Sequence, residues 1–188
     1  LINEEPAIRT QMRLINAYTG MTFEEIQKDI PKAKEQWSKV STNIKILDTV
    51  DWTLEKVDAF VAKEKPDIIV IDQLDKVHVP GNFARTDEKL RAIYMGAREV
   101  AKRRNCCLIA ISQASADASG KLDISFDMME NSKTGKAAEA DVVIGVGFRN
   151  KLDIDQDVRS IAVSKNKITG WHGQIACKII PQLSRYVE

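Results

Sequence analysis

Two short runs of almost purely β-branched and aliphatic residues constrain this chain more than any other feature. The first is Asp67-Ile-Ile-Val-Ile-Asp72 and the second is Cys107-Leu-Ile-Ala-Ile-Ser-Gln113. Runs without polar alternation are expected of strands buried on both faces, as in a parallel sheet. Between them Leu90, Ile93, Tyr94, Ala97, Val100 and Ala101 recur at helical spacing. Lys102, Arg103 and Arg104 follow, where a helix dipole favours cations. Strand, helix, strand in this order predicts two parallel neighbours joined by a right-handed crossover. Asp72 and Gln113 then emerge at the same sheet edge, which is where such folds bind ligands.

The flanking segments extend the pattern. Residues 1–3 read as the tail of a strand and residues 44–47 as a short strand. Residues 142–146, 160–163 and 174–179 read as later strands, with Gly170 and Gly173 in a turn between the last two. Ile8, Met12 and Ile15 after Pro6 predict a helix stopped by Gly20. Thr22 and Glu25 form a capping-box pattern for a short helix ending before Pro31. Leu54, Val57 and Val61 predict another, finishing before Pro66. A single α/β domain over residues 1–188 accounts for the length.

Composition narrows the function classes. Hydrophobic residues make up 44% and charged residues 29%, which excludes a disordered chain. Lys plus Arg is 28 and Asp plus Glu is 27, so any nucleic-acid contact must come from a local patch. No apolar run approaches a membrane span and no stretch reads as a signal peptide. Cys106, Cys107 and Cys177 read as buried free thiols of a reducing, cytoplasmic setting.

Four groups of residues can carry chemistry. Asp72, at a strand tip, is placed to hold Mg²⁺, or simply to end the strand. Gln113 can reach a terminal phosphate with its amide, or simply leave the core. Lys165 and Lys167 lie on one side of an extended segment. They can clamp a phosphate across a subunit interface, or form a solvated strand end. Glu4 and Glu5 precede a helix, where a carboxylate can polarise an attacking water or merely suit the helix dipole.

Taken in order, these elements resemble the motor of DnaB-type replicative hexameric DNA helicases and, more distantly, RecA. The resemblance covers nearly the whole chain. It rests on Asn3-Glu4-Glu5-Pro6 with Arg13 in the following helix, on residues 44–49 followed by Asp51-Trp-Thr-Leu, and on Asp72 and Gln113. Ala138-Glu-Ala-Asp-Val-Val and Lys165-Asn-Lys167 complete it. It implies a RecA-like three-layer α/β fold with a mainly parallel sheet, incomplete at its N-terminal side. It also implies ATP and Mg²⁺ as cofactors, single-stranded DNA as partner and a self-associated hexameric ring. Glu4 would be the catalytic carboxylate, Asp72 the Mg²⁺ residue and Gln113 the γ-phosphate sensor, with Arg13 beside the nucleotide. Lys165 and Lys167 would act on the neighbouring subunit's ATP. The stretch between Gln113 and Ala140 matches a central DNA-binding loop, with Lys121, Lys133 and Lys136 as phosphate contacts. Asp117, Asp123, Asp127 and Glu130 dilute its charge.

Two departures stand out. DnaB-type helicases place Arg where Lys167 sits, whereas RecA carries a Lys-Asn-Lys run there. No G-x-x-x-x-G-K followed by Ser or Thr occurs anywhere, so the β- and γ-phosphates lack their backbone cradle. The expectation is a motor truncated before or within the domain, and inactive as it stands. The alternatives are a non-catalytic RecA-like oligomerisation or DNA-binding module, or a recombinase-type ATPase. In the resembled fold the strand leading to the phosphate loop lies between the Gln113 strand and the strand at 142–146. Both should therefore show an unpaired edge.

Overall fold

The computed structural model describes residues 1–131 and 135–188. Lys133, one of the expected DNA contacts, lies outside them. In chain order the elements are α1 (Ala7–Thr19), α2 (Phe23–Lys28), α3 (Ile30–Ser41), α4 (Leu54–Glu64), β1 (Ile68–Asp72), α5 (Thr86–Arg104) and β2 (Cys107–Ile111). They continue with α6 (Gly135–Glu139), β3 (Val142–Gly147), α7 (Lys151–Asp155), β4 (Val158–Asn166), β5 (Gly173–Ile180) and β6 (Arg185–Val187).

β1 and β2 pair in parallel, from Ile68 opposite Cys107 to Asp72 opposite Ile111. The N-terminus extends this row. Asp72 N–H donates to Leu1 O at 3.0 Å and Asn3 N–H to Asp72 O at 2.8 Å. On its other side Ile2 N–H donates to Leu47 O at 2.9 Å and Thr49 N–H to Ile2 O at 2.8 Å. The parallel part of the fold is thus the row 47–49, 1–3, β1, β2. The remaining strands form a separate antiparallel sheet in the order β3-β4-β5-β6. That sheet departs from the parallel expectation because a tight turn at Gly170 joins β4 to β5, and a short connection can only reverse the chain. β2 and β3 each end a sheet, and among the described residues no strand pairs with their outer edges, as expected.

One helical layer covers one face of β1. Val57 and Val61 of α4, Ile69 and Ile71 of β1, and Leu90, Ile93, Tyr94, Ala97 and Val100 of α5 form the main core. The expectation of strands buried on both faces is not met. Ile68, Val70, Ile109 and Ile111 point the other way and are 59, 39, 46 and 42% exposed. Side chains alternate along a strand, and no described layer covers that second face.

A smaller apolar cluster joins the first three helices through Met21, Ile26 and Ala33, with Met12 and Ile15 packed against it. Ile8, expected in the same stripe, is exposed. Gly20 ends α1 at φ 68°, and the Thr22–Glu25 capping box starts α2. α2 ends at Lys28, before Pro31 as expected, and Pro31 then sits in the first turn of a further helix, α3. A proline there loses no hydrogen bond, and the Asp29 carboxylate caps the turn by accepting from Lys32 N–H at 3.1 Å. Among the described residues no helix is long and apolar enough to cross a membrane.

Candidate active site

The C-terminal tips of the parallel row bring together residues far apart in sequence. Glu4 follows the 1–3 segment, Asp72 ends β1, and Gln113 lies two residues beyond β2. Glu4 is the hub. Its Oε2 accepts from Gln73 Nε2 at 2.7 Å, and its Oε1 accepts from Lys76 Nζ at 3.1 Å and, at the outer limit, from Gln113 Nε2 at 3.5 Å. The Lys76 pair is exposed and contributes little to stability.

Asp72 is half-buried, with the Glu4 and Glu5 carboxylates and the Arg13 and Lys76 cations near it. Burial, then the neighbouring Glu4 and Glu5 carboxylates, push its carboxyl above the ordinary value of 3.8. The folded chain thus holds this proton more tightly than the unfolded one. The group favours folding in acid and opposes it as pH rises through the folded value. Asp72→Asn is expected to raise the melting temperature near neutral pH, with the gain vanishing below 3.8. Melting curves across pH check this; a gain that persists in acid would contradict the assigned cause. A carboxylate at a strand tip is placed to hold a divalent cation. Among the described residues no three His, Cys, Asp or Glu side chains converge as an all-protein metal cage. Mg²⁺ does not require one, since it is commonly held by one or two carboxylates with water and substrate phosphates.

Glu5 and Arg13 face each other instead of the cluster. Arg13 donates through both terminal nitrogens to the Glu5 carboxylate, one bond at 3.0 Å, and Thr10 Oγ1 donates to Glu5 at 3.1 Å. This separates two adjacent glutamates that the sequence alone left together. Glu4 joins Gln113, and Glu5 is held by α1.

Lys136 is drawn inward. Its side chain is fully buried, and its Nζ donates to Asp75 Oδ2 at 2.5 Å and to Ser112 Oγ at 3.0 Å. Ser112 Oγ and Tyr94 Oη donate to the same Asp75 carboxylate at 3.1 and 2.7 Å. Burial and the Asp75 charge push the Tyr94 phenol far up, so it remains a donor. A side chain with no exposed area touches no DNA phosphate in this conformation. Sequence reasoning missed this network because Asp75 and Lys136 are 61 positions apart and neither stands in a patterned segment.

At the other end of α6, Lys165 Nζ donates to Ala137 O and Lys167 Nζ to Ala138 O, the latter at 3.2 Å. Arg98 donates to Glu139 O and, at 3.0 Å, to Asp141. Burial and the adjacent Lys167 charge hold the Lys165 amine below the ordinary lysine value. The two lysines are engaged here and not at the Glu4 cluster.

Lys121 is exposed, in a segment packed closely on β3. A Cβ on Gly147 would lie 2.3 Å from Lys121 O, and one on Gly145 would lie 2.5 Å from Ile124 Cβ, so these glycines admit the segment. An open cleft of about 1040 Å³ lies between the start of α5 and residues 115–131. It is lined by Arg85 and Arg91 but also by Asp87, Glu88, Asp117 and Asp127, a mixed charge that favours no polyanion.

Parallel strands whose tips gather Glu4, Asp72 and Gln113, followed by an antiparallel extension, have the fold of a RecA-like ATPase core. Among solved structures, the chain superposes on one described as an ATPase domain with a TM-score of 0.82 at 16% identity, covering 98% of this chain and 72% of that one. A DnaB-like replicative helicase, described with its interactions with primase, gives 0.81 at 16% identity, covering 98% of this chain and 48% of that one. The RadB recombinase is more distant, at 0.54 and 10% identity, covering 92% and 70%. No protein-family profile matches the sequence, and no curated protein matches it.

Proposed function

We propose that this chain is part of the motor of an ATP-driven, ring-forming DNA helicase, in which ATP hydrolysis drives translocation on single-stranded DNA. The observation that carries the reading is the meeting of Glu4, Asp72 and Gln113 at one edge of a RecA-like sheet. Glu4 accepts a proton from the attacking water. Asp72 would hold Mg²⁺, which would supply charge neutralisation at the terminal phosphates. Gln113, hydrogen-bonded to Glu4 here, exchanges that partner for the γ-phosphate. Lys165 and Lys167 address the nucleotide of the next copy, and Lys121 faces the DNA. The 188 residues contain no phosphate cradle; in the resembled fold that cradle follows a strand lying between the counterparts of β2 and β3.

Subunit mixing in the full-length protein tests the ring. Glu4→Gln and Lys167→Ala are each expected to bind ATP and fail to hydrolyse it. Mixed rings contain junctions where an intact Glu4 meets an intact Lys167, so mixing the two should restore part of the DNA-stimulated hydrolysis. If both single variants are inactive and mixing restores nothing, or if Lys167→Ala alone turns over normally, the trans role of Lys167 is lost.

A further inference from the structure

Glu4 has two carboxylate oxygens in unlike settings. Oε1 meets Lys76, a half-exposed side chain, and Gln113 at the limit of hydrogen bonding. Oε2 meets one short bond from Gln73, which is only 6% exposed. Gln73 is itself fixed from both sides by a single residue. Its N–H donates to Asn3 Oδ1 at 2.6 Å, and its carbonyl accepts from Asn3 Nδ2 at 2.9 Å. The Asn3 amide thus replaces a strand partner just past the end of β1, where the ladder has stopped.

Resting on the hydrolytic reading above, we propose that Gln73 is the positioning residue that aims Glu4, with Asn3 as its clamp. A buried amide suits this task. It has few rotamers left to lose, and its bond fixes the carboxylate plane through one oxygen. Being uncharged, it leaves the basicity of the other oxygen available for a water. Lys76 cannot do the same work, because an exposed ammonium on a flexible stem sets no direction. Oε1, held by replaceable partners, is the oxygen turned to the reacting water.

Single-turnover ATP hydrolysis and nucleotide binding in the full-length protein test the assignment. Gln73→Ala removes the donor, and Gln73→Glu keeps its shape while replacing donation with repulsion. Both are expected to slow the chemical step on the order of 10²-fold, the loss typical of a small misplacement of a catalytic group. ATP affinity should stay close to that of the parent. In a Glu4→Gln background neither change should slow the residual rate further, because nothing is left to aim. Damage to the fold alone would lower affinity as well and would add to the Glu4→Gln loss; that outcome, or parent-like rates in both variants, overturns the proposal. Hydrolysis lost in Glu4→Gln but untouched in the Gln73 variants would remove this inference and leave the hydrolytic reading standing. Parent-like hydrolysis in Glu4→Gln would remove both.

Discussion

Replacing Glu4 by Gln in the full-length protein is expected to lower ATP hydrolysis by about 10²- to 10⁴-fold, the range for a lost general base, with ATP binding retained. The substitution keeps the side chain's shape, and the Gln carbonyl oxygen can still accept from Gln73. Only the proton acceptor is removed. Glu5→Gln is the matched control one residue away. Its carboxylate is occupied by Arg13 and Thr10, so a much smaller loss is expected. Single-turnover hydrolysis beside a nucleotide-binding titration reads both. If Glu5→Gln gave the larger loss, the assignment of the two glutamates would be reversed.

The largest stability effect is expected at Lys136. Lys136→Ala leaves the Asp75 carboxylate in a largely buried site with, among the described residues, Tyr94 and Ser112 as its remaining side-chain donors. Removing one partner of a buried ion pair costs about 3–5 kcal/mol, because the remaining charge is desolvated without compensation. The Lys136 ammonium also lies 5.8 Å from the Tyr94 ring centroid, and the substitution removes that cation–π attraction as well. Lys136→Met keeps most of the volume and separates charge from packing. Adding Asp75→Asn to it should recover a substantial part of the loss, since the stranded charge is then gone. Urea unfolding followed by circular dichroism measures all three; a Lys136→Met protein as stable as the parent would show that the pair contributes nothing.

Lys136 also marks where sequence reasoning stops. A lysine between a polar stretch and Ala137-Ala138 gives no local sign of burial, and it reads as a surface contact. Its environment is set by Asp75, Tyr94 and Ser112, each fixed by a different element. By contrast, β1, α5 and β2 were legible because their residues are dictated by nearest neighbours, namely β-branched runs and a helical stripe. Asp72 and Gln113 were legible for the same reason, since a strand's end places its last side chain. The exposed face of Ile68 and Val70 was not. An apolar run states that a strand is fit for burial on both sides and says nothing about whether a second layer is there to cover it. The start of α3 was not legible either, because a proline that follows one helix and one that opens the next look alike when a single residue separates the two helices.

The short helix α6 has a mechanical consequence. Lys136 pins its first turn to Asp75 and Ser112, the latter adjacent to Gln113. Lys165, Lys167 and Arg98 grip the carbonyls of its last turn. A five-residue helix is about 7.5 Å long and is too short to bend. Held at both ends, it acts as a crossbar. Lys136 is fully buried and bonded to Ser112, so a movement of Ser112 would be passed through α6 to the carbonyls that hold the two lysines. On the proposed assignments, the residue that reads one copy's phosphate and the residues that reach for the next copy's are joined in series by one rigid part. The firing order around a ring would then depend on how firmly α6 is gripped, and loosening either end would uncouple neighbours without touching a nucleotide.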